Sequence, residues 1–162
     1  MSAVDLERIK AVVLDVDGVL TDGAIYWGSG SEEWKRISFL DVMGISIGQR
    51  AGLRFALVSG EEGVLLDRLV QRLKISDVYR GCKDKAGALR DFANNAGLSL
   101  AQVCYMGDDV NDVPAMRLVG LAAAPASAHR SAREAAQFVT ERDGGHGAVR
   151  EIVDLLLQSA PA

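Results

Sequence analysis

Carboxylates, a hydroxyl and an ammonium follow short apolar runs, or open the segment after one, at separate places in this sequence. They are Asp15, Asp17, Ser59, Lys85, Asp108 and Asp109. Carboxylate oxygens are hard ligands, and Mg²⁺ prefers them together with water and phosphate oxygens. A bound cation also screens the repulsion between a carboxylate nucleophile and a phosphate dianion. The residue types therefore predict a magnesium-dependent site for phosphate chemistry.

We predict a role in phosphate-ester hydrolysis for most of these side chains. Asp15 is the predicted nucleophile, whose attack on phosphorus gives an aspartyl phosphate that water hydrolyses. Asp17 is the predicted general acid and base, which protonates the leaving alkoxide and then deprotonates the water. The predicted metal ligands are Asp15 and Asp108, with the backbone carbonyl of Asp17 as a third. Ser59 and nearby backbone N–H groups are expected to hold the phosphoryl oxygens, while Lys85 adds positive charge.

Taken singly, each residue also has an ordinary structural explanation. Acidic residues at strand ends are commonly solvated, a Ser-Gly pair is typical of turns, and a lone lysine usually lies at the surface. The segment GDDVND is more informative, because several acids at one strand end repel each other unless a cation or other partners neutralise them. In this segment, Asp109 and Asp112 are predicted to support Asp108. The order of the whole set along the chain favours a functional site.

Short apolar runs alternate with patterns of helical period along the chain. The predicted strands are 10–17, 54–58, 78–79, 103–106, 121–124 and 138–140. The predicted helices are 41–51, 62–73, 84–96, 111–119, 131–136 and 148–158. This alternation predicts an α/β fold, a Rossmann-like doubly wound parallel sheet with helices on both faces. Ligands of such sheets bind beyond the carboxyl ends of the strands, which is where the candidate residues stand.

Residues 24–39 carry Tyr26, Trp27 and Trp34 around a Gly-Ser-Gly turn, which predicts a β-hairpin. The chain has 162 residues, which fits one domain. No other segment is long enough for a separate cap domain. We therefore expect a single domain over 1–162, with the hairpin as a small flap.

The composition excludes several classes of partner. The net charge is −4 and the pI is about 5.2, and no basic face is present to attract nucleic acid or an anionic membrane. Cys82 and Cys104 are too few for a disulfide framework. No apolar run reaches the roughly 18 residues of a membrane span, and the N-terminus lacks a signal-peptide pattern. We therefore expect a cytoplasmic protein without nucleic-acid or membrane partners.

The sequence resembles the haloacid dehalogenase superfamily of phosphohydrolases. Four motifs carry the resemblance, and they are Asp15-Val-Asp17-Gly18-Val-Leu-Thr21, Ser59, Lys85 and Gly107-Asp108-Asp109-Val-Asn-Asp112. The similarity runs from about residue 10 to residue 157. It implies the catalytic roles given above, and Mg²⁺ as the cofactor.

Within that superfamily, the chain is similar to a small subgroup without a cap domain. The similarity lies in DVDGVLTDG at 15–23, the hairpin at 24–39 and the tail GGHGAVRE at 144–151. The subgroup acts on 3-deoxy-ulosonate phosphates, such as 3-deoxy-manno-octulosonate 8-phosphate and nonulosonate 9-phosphates of the KDN and sialic-acid kind. The resemblance implies a homotetramer in which each hairpin covers a neighbour's site. The hairpin aromatics fit such an interface, and equally a local aromatic cluster.

The residues expected around the sugar acid depart from the octulosonate branch. That branch usually carries arginines at the positions of Ser46, Glu61 and Leu69. Glu61 directly after Ser-Gly, followed later by Arg72, is more similar to the nonulosonate branch, although that branch usually has an arginine at position 69. We therefore predict a nonulosonate 9-phosphate in preference to octulosonate 8-phosphate. The predicted substrate-binding residues are Asp17, Asp41, Ser59, Gly60, Glu61, Arg72 and Lys85.

Two other functions use a similar set of residues. A non-enzymatic phospho-receiver module also gathers acids and a lysine around Mg²⁺, but its phospho-accepting aspartate is expected where this sequence has Tyr79-Arg-Gly81. A catalytically quiet partner domain of a sugar-nucleotide synthetase is the second alternative, and the complete motif set argues against it. His146, between glycines, either lines the site or is an exposed loop residue.

Overall fold

Residues 5–158, the part of the chain that the computed structural model describes, form a six-stranded parallel sheet between two layers of helices, with a small separate hairpin. In chain order the strands are β1 (Ala11–Asp15), β2 (Tyr26–Trp27), β3 (Glu33–Trp34), β4 (Arg54–Val58), β5 (Asp77–Tyr79), β6 (Val103–Met106), β7 (Leu121–Ala124) and β8 (Phe138–Val139). Strands β2 and β3 form the hairpin, and the other six form the sheet. The six predicted strands of the sheet are therefore present: β4, β6 and β7 have the predicted bounds, β1 and β8 are shorter by three residues and one residue, and β5 is longer by one.

The strand order of the sheet is β5-β4-β1-β6-β7-β8. The chain builds outward from β1 through β4 to β5, then returns to begin β6 on the other side of β1. The strand order therefore reverses between β1 and β6, and such a reversal leaves a crevice at the carboxyl ends of the two strands. Asp15 ends β1 in register with Val58 of β4, while Leu14 lies opposite Met106 of β6. The predicted doubly wound sheet is confirmed.

The helices are α1 (Phe39–Arg50), α2 (Val64–Leu73), α3 (Lys85–Ala96), α4 (Val113–Met116), α5 (Arg130–Ala135) and α6 (Ala148–Gln158). Helices α1, α2 and α6 bury one face of the sheet, and α3, α4 and α5 bury the other. The strands are apolar on both faces for this reason. In β1, Val12 and Leu14 join the first core, whereas Ala11 and Val13 join the second.

Helix α6 has its predicted bounds and the other helices differ from theirs, and for two of them, α1 and α4, the contacts explain the difference. Helix α1 begins at Phe39 rather than Asp41, because the Ser38 side chain caps it by accepting the backbone N–H of Leu40 at 3.2 Å. Helix α4 is only Val113–Met116, although the pattern predicted 111–119. The preceding loop folds back so that its own backbone amides reach the Asp112 carboxylate, which keeps the residues before α4 out of the helix.

The hairpin pairs Tyr26 with Trp34, as predicted, and leaves its aromatic side chains in solvent. Trp27 is 76% exposed and Trp34 is 54% exposed. Both explanations for these aromatics, an interface and a local aromatic cluster, stay predictions. Among the described residues, no helix is long and apolar enough to cross a membrane. The single domain over 1–162 stays a prediction, and its end residues 1–4 and 159–162 lie outside the described part.

Candidate active site

The carboxylate of Asp15 lies at the crevice between β1 and β6, and it is 5% exposed. The Nζ atom of Lys85, at the first residue of α3, lies 3.0 Å from its Oδ1 atom. Asp84 caps this helix by accepting the N–H of Gly87 at 2.9 Å, which fixes the point from which Lys85 projects. A buried ammonium therefore faces the predicted nucleophile.

Asp112 organises the groups around Asp15 from a fully buried position. Its Oδ1 atom accepts hydrogen bonds from Lys85 Nζ at 2.8 Å and from the Tyr105 hydroxyl at 2.7 Å. Its Oδ2 atom accepts the backbone N–H groups of Asp108 and Asp109, both at 3.1 Å. Four donors thus fill the carboxylate, so Asp112 holds the lysine and the β6 exit loop in place.

Asp15, Asp108 and Asp112 could together hold a cation, since one carboxylate oxygen from each lies within 4.8 Å of the others. Burial raises the pKa of Asp108 to about 6, and repulsion from Asp112 contributes, although a hydrogen bond with Asp15 opposes the shift. Burial and the charge of Asp112 also raise the pKa of Asp15 well above its ordinary value, against the attraction of Lys85. A hard divalent cation bound between these carboxyl groups would favour their charged forms and offset their mutual repulsion. The oxygens of Asp112 already accept four hydrogen bonds, so Asp15 and Asp108 are the carboxylates best placed as ligands.

The loop after β1 packs closely against the loop after β6. Gly18 has a φ of +89°, and a Cβ atom there would lie 2.0 Å from Asp108 Oδ2. The C-terminal loop presses on the same segment, since a Cβ atom on Gly144 would lie 1.8 Å from the Gly18 carbonyl oxygen. Thr21 Oγ1 accepts the N–H of Gly18 at 3.2 Å and closes the turn. Only glycine permits these approaches, so the loop that follows Asp15 is held between the loop after β6 and the C-terminal loop.

Ser59 is buried at the end of β4, and its Oγ atom accepts the N–H of Glu61 at 3.1 Å. Together with Asp17 it lines an open cavity of about 660 Å³ that runs between the hairpin and α2. Gly60 is exposed in the same turn. The structure therefore places the predicted phosphate-binding hydroxyl and the predicted acid on one cavity wall.

Lys35, directly after β3, reaches into this cavity from the hairpin. Its Nζ atom lies 2.7 Å from Asp17 Oδ1, and it also forms an ion pair with Glu61. The hairpin residues Glu32, Glu33 and Trp34 line the cavity as well. Within one chain, the hairpin thus covers part of its own site.

The predicted substrate residues do not all reach the cavity. Glu61, Leu69 and Arg72 line it, and the Arg72 guanidinium lies over the Phe39 ring at 5.1 Å. Asp41 has a different role, because its buried carboxylate accepts the N–H groups of Gly147 at 3.1 Å and Arg150 at 3.0 Å, where α6 begins. The structure therefore places Asp41 as a cap that joins α1 to α6.

The structure also shows where His146 and the end of β5 lie. His146 is an exposed residue of the C-terminal loop, with its Nδ1 atom 2.8 Å from the Gly144 carbonyl oxygen. The end of β5, where a receiver module would carry its phosphorylated aspartate, lies at the edge of the sheet, away from Asp15 on the central strand.

Sequence reasoning missed Lys35, Tyr105 and Arg68. Tyr105 lies in an apolar strand and reads as a core residue, and nothing in its spacing marks the hydroxyl as a partner of Asp112. Lys35 is distant in sequence from both of its partners. Arg68 lines the cavity from the exposed side of α2, one helical position from Leu69. The signal in the sequence that could have indicated Lys35 is its own charge, since it lies in the hairpin that was predicted to be a flap.

Comparison with known families finds a match over half of the chain. A profile of the haloacid dehalogenase-like hydrolase family matches residues 71–152. Among curated relatives, the 3-deoxy-D-manno-octulosonate 8-phosphate phosphatase of Escherichia coli strain K12 is 39% identical over 151 residues, which are 93% of this chain and 80% of that protein. The same enzyme of Yersinia pestis is 38% identical over 150 residues, again 93% of this chain and 80% of the relative.

Solved structures match over the same extent. The 3-deoxy-D-manno-octulosonate 8-phosphate phosphatase of Moraxella catarrhalis, in complex with magnesium, phosphate and KDO, superposes with a TM-score of 0.92 at 32% identity, over 96% of this chain and 89% of that one. The cobalt-bound form of the enzyme from Haemophilus influenzae gives a TM-score of 0.91 at 36% identity, over 95% and 90% of the two chains. From its fold, its motifs and these matches, the chain belongs to the haloacid dehalogenase-like hydrolase family, among its phosphatases.

Proposed function

We propose that this chain is a Mg²⁺-dependent phosphomonoesterase that hydrolyses a phosphorylated 3-deoxy-ulosonic acid through an aspartyl phosphate on Asp15. The observation that carries the proposal is the position of Asp15. Its buried carboxylate ends the central strand at the strand-order reversal, 3.0 Å from the Lys85 ammonium and beside Asp108. A nucleophile, a cationic group and a potential metal ligand thus share one small space.

The residues of the chain divide the chemistry between them. An oxygen of Asp15 attacks phosphorus while the bond from phosphorus to the sugar oxygen breaks, and Asp17 gives its proton to that oxygen. Asp17 then takes a proton from the water that cleaves the aspartyl phosphate. Ser59 donates a hydrogen bond to the phosphoryl group, and the Lys85 ammonium stabilises its charge.

Asp15 and Asp108 fit a magnesium site, with the backbone carbonyl of Asp17 as the further ligand expected from the sequence. When bound there, Mg²⁺ supplies positive charge that offsets the repulsion between the Asp15 carboxylate and the phosphate dianion. Lys85 and Asp112 remain paired beside this position, so the lysine keeps its charge. Burial alone would lower the pKa of Lys85, but the attraction of Asp15 and Asp112 outweighs it and raises the pKa.

The substrate class is supported by the curated relatives, which are named for octulosonate 8-phosphate, and by two arginines of the cavity. Arg68 and Arg72 line it from α2, and guanidinium groups suit a sugar carboxylate. The preference for a nonulosonate 9-phosphate stays a prediction that rests on Glu61 and Arg72. The relatives favour octulosonate 8-phosphate as the first substrate to test.

Assembly and location are further proposals. A homotetramer is supported by the apolar surface that the single chain leaves in solvent, which includes Trp27, Trp34, Phe39 and Val64. In such an assembly the hairpin would cover a neighbour's site in addition to the part of its own that it lines. The cytoplasmic location expected from the sequence stays a prediction.

The test is phosphate release from octulosonate 8-phosphate, a nonulosonate 9-phosphate and a nucleoside monophosphate, each with Mg²⁺ and with a chelator. We expect Mg²⁺-dependent release from at least one sugar-acid phosphate and little from the nucleotide. Asp15→Asn should keep the fold and lose at least about 10³-fold in kcat. The matched control is Asp91→Asn, which removes an exposed carboxylate of α3 and should leave the rate unchanged. Wild-type turnover by Asp15→Asn would exclude Asp15 as the nucleophile, and a chain that releases no phosphate would be a quiet partner domain.

A further inference from the structure

Lys35 makes the most unusual contact of the hairpin. Its side chain is only 10% exposed, although it follows a strand whose own residues are exposed. The ammonium lies between two carboxylates from different loops, that of Asp17 after β1 and that of Glu61 after β4. A lysine with a free choice of conformation would place its charge in water, so this position reflects a specific pairing.

We propose that Lys35 is a positioning residue for Asp17, holding its carboxylate toward the leaving-group side of the site. The proposal rests on the proposed function, in which Asp17 is the general acid and base. Lys85 already provides a cation for Asp15, at 3.0 Å. Lys35 is then the matching cation for the second aspartate of the DVD pair.

Asp17 needs such a partner because its side chain is too exposed for packing to fix its orientation. Its side chain is 34% exposed at the cavity mouth. Among the described residues, Lys35 is the only side chain with a hydrogen bond to the Asp17 carboxylate. The Asp17 side chain must keep one orientation while it gives a proton to the leaving alkoxide and later takes one from water. A fixed ammonium at 2.7 Å restricts the rotamer to that orientation.

Glu61 completes the arrangement by holding the lysine from its other side. The Glu61 side chain is 52% exposed, so it adds an ion pair without a large desolvation cost. Burial opposes the charged form of Lys35, but the hydrogen bonds to Asp17 and Glu61 outweigh it and raise the lysine pKa. The ammonium therefore stays charged through neutral pH and links the hairpin to both loops.

The test uses two esters that differ in their need for a proton. When octulosonate 8-phosphate is cleaved, the bond between phosphorus and the sugar oxygen breaks as the bond to Asp15 forms, and the proton of Asp17 passes to the departing alkoxide. The 4-nitrophenolate ion leaves 4-nitrophenyl phosphate without that proton. Asp17 also activates the water that cleaves the aspartyl phosphate, and this second step is the same for both esters. The comparison therefore uses the rate of alcohol release in a single turnover with enzyme in excess, which a lysine acting through Asp17 should affect for the first ester and much less for the second.

We expect Lys35→Met to lower the single-turnover rate of alcohol release from octulosonate 8-phosphate by about tenfold or more, a part of the 10²–10⁴-fold typical of general acid catalysis. The loss of this rate on 4-nitrophenyl phosphate should stay within about threefold, and the enzyme concentration that gives half the maximal single-turnover rate should change little for either ester. Lys35→Arg, which keeps the charge, should recover most of the rate. The matched control is Lys10→Met, an exposed lysine at the opposite end of the sheet, which should behave as wild type. Lys35→Gln provides the same comparison if the methionine variant does not fold.

An equal loss of the single-turnover rate on both esters would overturn the proposal, because Lys35 would then only hold the flap. A change confined to the enzyme concentration needed for half the maximal rate would overturn it in favour of direct substrate binding, and an unchanged rate would exclude any role. A wild-type chain that releases phosphate from neither ester would overturn the proposed function itself. That last result is distinct, since it appears before any lysine is changed.

Discussion

Replacement of Asp112 by asparagine tests whether this residue organises the site or is one more acid in a crowded cluster. The change keeps the shape of the side chain and removes its charge. An asparagine NH₂ group would have to face either the amides of Asp108 and Asp109, or Lys85 and Tyr105. In both orientations at least one donor points at other donors in a fully buried place.

The size of the effect follows from these contacts. Removal of one partner of a buried charge pair typically costs 3–5 kcal/mol, and a buried unsatisfied donor costs about 1–3 kcal/mol. Lys85 keeps Asp15 as a second partner, at 3.0 Å, which places the expected loss near the lower limit. We therefore expect a loss of about 3 kcal/mol in the free energy of unfolding, or roughly 6–12 °C in Tm for a chain of this length.

The assay is thermal and urea unfolding in the presence of a chelator, so that a change in metal affinity does not contribute. The control is Asp109→Asn, since Asp109 is exposed and its change should stay within about 0.5 kcal/mol. The alternative is that the charge of Asp112 mainly repels Asp15. Its removal would then raise the free energy of unfolding of the metal-free protein. A Tm that is unchanged or higher in Asp112→Asn would refute the organising role.

Three further predictions concern the neighbouring residues. Gly18→Ala should reduce Mg²⁺ affinity and phosphatase activity by at least about tenfold, because the new Cβ would lie 2.0 Å from Asp108 Oδ2 and because φ is +89° at this position. Titration calorimetry measures the affinity, and phosphate release measures the activity. Asp41→Ala should lower the free energy of unfolding by about 1–3 kcal/mol, since buried N–H groups at the start of α6 lose their acceptor, while KM stays unchanged. Burial raises the pKa of Asp108 from 3.8 to about 6, so the folded, metal-free protein binds more protons than the unfolded chain between these values. Its stability should therefore fall as pH rises from about 4 to 6, and the increase in Tm on adding Mg²⁺ should grow over the same range.

Each of these predictions has a result that contradicts it. Wild-type Mg²⁺ affinity in Gly18→Ala would mean that the two loops do not approach as described, and Gly52→Ala is the control, since it also has a positive φ but no atom within 4 Å. A raised KM with unchanged stability in Asp41→Ala would restore that residue to the substrate site. An Mg²⁺-induced increase in Tm that does not vary between pH 4 and pH 7 would exclude protonation of the cation site in this range.

The sequence was most informative where local pattern and long-range structure agree. Strand β4 has the predicted bounds, because the four apolar residues after Arg54 are buried between the two helix layers, as a strand of a parallel sheet requires. The positions of Asp15, Ser59 and Asp108 followed from the same logic, since the ends of parallel strands meet at one edge. Helix α4 was predicted too long because its pattern cannot show that Asp112 bonds to the loop amides before it.

What the sequence determined by itself is thus the sheet, its helices and the chemistry at its edge, since hydrophobic period and residue type are local properties. The tertiary structure decided the partners. Lys35 meets Asp17, Tyr105 meets Asp112, and Asp41 caps α6, although each pair is separated along the chain or hidden within an apolar or helical pattern. A hydrogen bond depends on distances of tenths of an ångström and on the direction of each side chain. Those quantities exist only once the elements have packed, which is why residue type and spacing could not supply them.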